Sequence, residues 1–183
     1  MEGEKTTRVA IIGAGRCSWT SRATLRNQTL ASTDISHVFS TKGISGLVAL
    51  KECLASGLEA HVFEARPDIG GNWNYEPVPA NATTDGTGSP NVTSSMYDGV
   101  MCNSCRDTTG FTDFPLDPLR YGDYFNHRHM LRYLRDYTDH FGLLQHIRLR
   151  TRVLSCSPLA GGADGWKVAT QEEGQPVEEG IYQ

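Results

Sequence analysis

The sequence predicts an α/β fold with a parallel sheet, and three observations carry the prediction. A hydrophobic strand, Val9 to Ile12, runs into Gly13-Ala14-Gly15. From Ile44 onward, apolar residues recur at helical spacing. After a glycine stop comes a second strand, Glu59-Ala-His-Val-Phe-Glu64. Strand, helix and strand in that order form a βαβ unit, and 183 residues suffice for one domain with a core.

The first strand opens a glycine turn that is not completed where it should be. A third glycine is due two residues after Gly15, but Arg16, Cys17, Ser18 and Trp19 follow instead. The helix comes later: Leu47, Leu50, Lys51 and Leu54 keep its period, and Gly46, Ala49 and Cys53 give it a small-residue face for close approach to a sheet. Gly57 supplies the C-terminal stop. The strand after it ends in an acidic residue, Glu64. Residues 77–95, rich in Pro, Gly, Ser, Thr and Asn, read as a loop. Residues 96–125 show aromatic and proline punctuation without a clear period. A helix is expected over 127–141 from Met130, Leu131, Leu134, Thr138 and Phe141, closed by Gly142. His127, His129 and His140 lie in or beside it and read as solvated side chains rather than ligands, since the first two are two residues apart and do not share a helix face. IRLRTRVLS and GWKVATQ then alternate as two strands around the turn SPLAGGAD.

Composition narrows the class of function. A net charge of −4 argues against nucleic acid or an anionic membrane as main partner. No apolar run approaches the roughly 20 residues of a membrane span, and the acidic start MEGEKTTRVAIIG lacks the basic region of a signal peptide. The expected location is the cytoplasm, or the cytosolic face of a membrane as a peripheral protein. Three Asn-x-Thr sequons, at Asn27, Asn81 and Asn91, carry little weight there. Cysteines at 17, 53, 102, 105 and 156 form no disulfide framework. Cys102-Asn-Ser-Cys105 lacks a partner pair at zinc spacing, so no metal site is expected. A thioredoxin-like dithiol would sit at a helix start with other flanking residues.

Removing residues 16–43 joins the halves: RVAIIGAG-ISGLVALKECLASGLEAHVFEARPDIGGNW. Gly13, Gly15 and Gly46 then spell G-x-G-x-x-G between a strand and a helix, with Glu64 about 20 residues on. The first glycine permits the tight turn, the second a close backbone approach to a pyrophosphate, and the third close packing of helix on strand. The helix N-terminus adds free N–H groups and partial positive charge. Glu64 is placed for ribose hydroxyls. The intervening segment is rich in Ser and Thr and matches neither period, so it is expected to be disordered. Codons available to Gly15, Thr33-Asp34 and Lys42-Gly43 can supply the donor, branch and acceptor signals of an intron, and 16–43 reads as a translated, unspliced one, with a genuine lineage-specific insertion as the alternative. Closing so long a connection costs only ~2.4 kcal/mol in chain entropy. Phosphate binding needs Gly15 and the helix start within one turn, so dinucleotide binding is expected to be weak or absent.

Four stretches carry a family resemblance: VAIIGAG with ISGL, VFEARPDIGGNW, the Asn103-Ser104 of MCNSC, and FTDFP. They resemble the N-terminal half of flavin-containing monooxygenases of the dimethylaniline type. The resemblance implies an α/β, Rossmann-like FAD-binding domain of the two-dinucleotide-binding flavoprotein type, present incompletely. It implies that Gly13, Ala14, Gly15, Ile44, Ser45 and Gly46 hold the FAD pyrophosphate, that Glu64 takes the ribose, and that Asn72 and Trp73 line the site. Cys102, Asn103 and Ser104 fall in the family's turn beside the flavin, where Asn103 is the catalytic candidate. An amide donates and accepts hydrogen bonds there without delivering a proton. Phe111, Phe114 and Pro115 are expected to pack beneath the domain. By the same resemblance, NADPH is the reductant, O2 the oxidant, and a small amine or sulfide the substrate. A second glycine-rich motif and a monooxygenase fingerprint, usual in such proteins, are not in this sequence. An inactive fragment, or a related FAD-dependent reductase or hydroxylase, stays open.

Overall fold

The structure, a computed structural model, describes residues 7–12, 38–40, 43–77, 96–159 and 165–182. The expected loop at 77–95 lies outside them from residue 78 on, as do Gly13, Ala14 and Gly15. One partial domain was expected over 1–183. Within it the chain divides into two compact units: Met1–Pro67 with Gln145–Gln183, and Asp68–Leu144.

The first unit carries the parallel sheet. Its strands are β1 (Arg8–Ile12), β2 (Val38–Ser40), β3 (Glu59–Phe63) and β4 (Ile147–Arg148), in the order β2-β1-β3-β4. β1 is buried from Val9 to Ile12, as a strand covered on both faces must be. Helix α1 (Ile44–Ala55) buries Gly46, Leu47 and Leu50 and packs against β1 and β3. It stops where Gly57 takes φ +77, a conformation open to glycine. A three-stranded antiparallel sheet follows: β5 (Thr151–Pro158), β6 (Trp166–Glu172) and β7 (Val177–Tyr182). The two sheets share a core in which Ala10, Ile12 and Phe63 meet Val153, Val168 and Tyr182. The rings of Phe63 and Tyr182 stand edge to face at 6.0 Å, a favoured aromatic geometry.

β2 is a finding that the sequence did not anticipate. It falls inside the segment expected to be disordered, and it pairs parallel to β1, Ala10 with Val38 through Ile12 with Ser40. The helix is therefore entered from β2, while β1 keeps its expected place beside β3, Arg8 opposite Glu59 through Ile12 opposite Phe63.

The second unit is built on α4 (His127–His140), which fits the expected helix to within one residue. Met130, Tyr133, Leu134, Tyr137 and Thr138 are buried along one face. Asn126 caps its start by accepting the N–H groups of Arg128 at 3.0 Å and His129 at 3.1 Å. Residues 96–125 contribute two single-turn helices, α2 (Arg106–Thr109) and α3 (Pro118–Tyr121). Phe111 and Phe114 pack on Tyr133 and Tyr137 of α4. The Tyr133 hydroxyl accepts the Phe111 N–H at 2.8 Å and donates to the Phe114 carbonyl at 2.5 Å. The tyrosine thus fixes that chain segment at both ends. Among the described residues, no helix is long and apolar enough to cross a membrane.

Candidate functional site

The first unit holds the glycine-headed helix and the acidic strand end. Gly43 is the N-cap of α1, with φ 67 and ψ −115, and its carbonyl accepts the Gly46 N–H at 3.1 Å. The left-handed φ is glycine territory. Gly43 was not among the expected site residues, although Gly43-x-x-Gly46 repeats the spacing of Gly15 to Gly46 in the joined motif. The β1–β2 register shows the same relation: each paired residue in β2 lies 28 positions after its partner, as Gly43 does after Gly15. α1 begins with no side-chain cap and no acidic residue in its first turn. A helix start of that kind leaves backbone N–H groups of Ile44 and Ser45 to an anion.

Glu64 directly follows β3 and is buried, 5% exposed. Its Oε1 accepts the Arg66 N–H at 2.9 Å, and its backbone is held on both sides by the crossing chain, N–H to the Arg148 carbonyl and carbonyl from the Thr151 N–H. The carboxylate therefore cannot swing freely. Between β4 and β5, Arg150 adopts φ 53, a left-handed conformation uncommon outside glycine. It gives its N–H to the Arg66 carbonyl at 3.0 Å. Beside this clasp lies a polar cavity of about 340 Å³ lined by Ala65, Arg150, Arg152, Gln171, Glu172, Glu173 and Gly174.

The second unit holds the other expected residues, and it brings two of their segments onto the first turns of α4. Gly70 and Gly71 both have positive φ, and the Gly71–Trp73 turn follows. Gly70 lies so close to α4 that an added Cβ would stand 2.4 Å from Leu131 Cδ1. Asn72 is exposed and Trp73 half-buried. Tyr75, just beyond, sets its ring 5.1 Å from that of His127. The second segment is tied down by an isolated bridge between Met101 and Asn126 and by the Cys102 N–H to the Phe125 carbonyl at 2.8 Å. Cys102 is buried and Asn103 exposed. Ser104 passes its hydroxyl between Cys102 Sγ at 3.3 Å and Thr109 Oγ1 at 2.7 Å.

His127 corrects an expectation. It is buried, 4% exposed, not solvated, with Nε2 3.7 Å from Asp98 Oδ1. Asp98 is shared with Arg128 Nη2 at 2.8 Å. The helical period around His127 reads as polar, and only the packing of Tyr75 over it reveals the burial. His140 is exposed, as expected.

Comparison with known proteins places this arrangement. Residues 37–182 match the family described as flavin-binding monooxygenase-like. That match takes in β2, Gly43 and Gly46 but starts after Gly13–Gly15. Human flavin-containing monooxygenase 1 is 35% identical over 133 residues, 72% of this chain and 23% of that one. Rat N-oxide-forming dimethylaniline monooxygenase 4 is 34% identical over 135 residues, 73% of this chain and 22% of that one. The chain thus spans under a quarter of the length of these relatives. A solved S-allyl-L-cysteine S-oxygenase from Allium sativum has a TM-score of 0.70 at 25% identity, covering 97% of this chain and 35% of that one. Tmm from Pelagibacter, at 20% identity and a TM-score of 0.65 over 96% of this chain and 34% of that one, shares the fold. The α/β fold is the Rossmann-like one of these FAD-binding flavoproteins, present in part. From the match across residues 37–182 and the agreement of its relatives, the chain belongs to the flavin-binding monooxygenase-like family of oxidoreductases.

Proposed function

We propose that this chain carries part of the FAD site of an NADPH- and O2-dependent monooxygenase acting on nitrogen or sulfur nucleophiles. The observation that carries the reading is the start of α1: a twelve-residue helix headed by Gly43 at φ 67, with no side-chain cap and no acidic residue in its first turn. The anion it suits is a pyrophosphate. Glu64, buried and fixed at the end of β3, is the acceptor for ribose hydroxyls. The cavity at Ala65 and Arg150 adds polar space next to it.

Bound FAD would supply the redox chemistry, taking electrons from NADPH and passing them to O2. The protein's own part is to bind and orient. Ile44 and Ser45 N–H groups face the phosphate oxygens, Trp73 offers an aromatic wall against water, and Asn103 presents an exposed carboxamide. An amide can hold an oxygen or a ring nitrogen by donating and accepting, yet it has no acidic proton to lose. That makes Asn103 suited to steadying a reactive group without protonating it. Location in the cytoplasm, or on the cytosolic face of a membrane, accompanies this reading.

A second reading is favoured by a specific observation: α1 is entered from β2, not from β1. A chain so connected has lost the turn that joins Gly15 to the helix, and its flavin affinity is then low or nil. Both readings are tested on the purified chain by titrating FAD against its fluorescence and by following NADPH absorbance. Saturable FAD binding that Glu64→Gln weakens supports the first, with NADPH oxidation absent in the isolated chain. No binding at any FAD concentration supports the inactive fragment.

A further inference from the structure

We propose that His127 is a positioning residue: it couples the two segments of the second unit proposed to line the cofactor, so that the Asn72-Trp73 turn and Asn103 keep one fixed relation. What those segments hold rests on the flavin reading above; the coupling itself does not.

His127 is the first residue of α4 and only 4% exposed. Burying a polar ring costs free energy unless its neighbours answer it, and here they come from two separate stretches of chain. One is Tyr75, with ring centroids 5.1 Å apart and planes at 72°, the edge-to-face arrangement that aromatic pairs prefer. Tyr75 ends a turn stiffened by its own backbone. The Trp73 N–H donates to the Gly70 carbonyl at 3.0 Å, the Asn74 N–H to the Gly71 carbonyl at 3.2 Å, and the Tyr75 N–H to the Trp73 carbonyl at 3.0 Å. This segment meets α4 at Leu131 through Gly70 and at His127 through Tyr75. Those two helix residues are about one turn apart, so the segment lies along the start of the helix.

The other neighbour is Asp98. Its Oδ1 stands 3.7 Å from His127 Nε2, an electrostatic contact, and 2.8 Å from Arg128 Nη2. Asp98 belongs to the turn that the Val100 N–H closes on the Tyr97 carbonyl at 3.3 Å. That turn feeds Met101, bridged to Asn126, and Cys102, whose N–H donates to the Phe125 carbonyl at 2.8 Å. Asn103 is the next residue.

One imidazole therefore touches both segments. Without it each keeps an anchor of its own, Gly70 on Leu131 and Met101 on Asn126, but the link between them is gone. The two contacts also differ in chemistry, which makes them separable. Phe at 127 keeps a ring for Tyr75 and loses the nitrogen that faces Asp98. Gln keeps a nitrogen and loses the ring.

The test is amide hydrogen exchange of the full chain, read by mass spectrometry over residues 71–76 and 98–104. His127→Ala should speed exchange at Trp73, Asn74 and Tyr75 and at Val100 and Cys102 together, by roughly two- to tenfold, the worth of one aromatic pair. Amides from Tyr133 to Thr138, in the middle of α4, should not change. His127→Phe should restore the Trp73–Tyr75 amides alone, and His127→Gln those of Val100 and Cys102 alone. The proposal is overturned if His127→Ala loosens one segment only, if the middle of α4 loosens equally, or if His127→Phe restores both segments. An FAD titration of the same proteins keeps the two claims apart. A parent chain that binds no FAD defeats the flavin reading, while the exchange pattern still decides the coupling.

Discussion

His61 shows how a single side chain on the sheet carries a pH dependence. It lies on β3 opposite Ala10, and its Nδ1 is buried without a hydrogen-bond partner among the described residues. Burial, aided by Arg8, His146 and Arg148 and opposed by Glu59, lowers its pKa from the ordinary 6.5. The unfolded chain therefore takes up the proton first. The stability from neutral His61 is complete above pH 6.5 and is lost as pH falls through that value towards the lower folded pKa. Urea midpoints measured on both sides of pH 6.5 should show the native chain weakening on the acid side. His61→Gln should weaken less over the same range, and equal slopes would remove His61 from the account. Residues were legible to different degrees. Glu64 was placed by its position at a strand end, a local matter. Gly43 was hidden because an earlier glycine pair already filled the pattern. His127 was misjudged because its burial depends on Tyr75, far away in sequence.

Among the elements, α4 has the widest influence, since both segments of the second unit proposed to line the cofactor rest on its first turns. Asn126 closes two of the otherwise unpaired N–H groups there. Replacing it with Ala should cost about 1 kcal/mol, the usual worth of such a cap, seen as a lower urea midpoint with an unchanged slope. The same variant should increase amide hydrogen exchange at Met101 and Cys102, which are held against Phe125 and Asn126. The long helices and β1, β3 and β6 could be read from period and punctuation, whereas the single strand expected over 147–155 is two, β4 and β5, in different sheets and broken at Arg150. α2 and α3 could not, because four residues contain no period. β7 was missed for another reason: its burial pattern leaves most of it exposed at a sheet edge, so the apolar alternation that marks a half-buried strand is weak.

For the whole molecule, the question is which strand leads into α1. The strand order β1-β3-β4 is the start of a doubly wound sheet read outward from its centre, and β2 occupies the next place on the far side of β1. Deleting residues 16–43 joins Gly15 to Ile44 and returns that place to an open edge. The deletion variant should bind FAD more tightly than the parent chain in a fluorescence titration, because the complete glycine turn then faces the pyrophosphate. Equal affinity would mean that Gly43 already does the work of Gly15. Sequencing the transcript across this stretch tests the intron reading directly, and mature message that retains the codons rules it out. The sequence showed two half-motifs, but not that the second half came with its own strand. Three residues of Val-Phe-Ser have no period to read, and only their pairing with Ala10 to Ile12 makes them a strand.

That pairing has a consequence at the level of the gene. Residues 16–43 are 28 whole codons, the same offset that separates β1 from β2, so removing them preserves the reading frame. Two messages, one longer and one shorter, would encode the same α1, the same β3 and everything downstream. They would differ in which strand hands the chain to the helix, and a cell that made both would hold a tight-binding and a weak-binding form of one polypeptide.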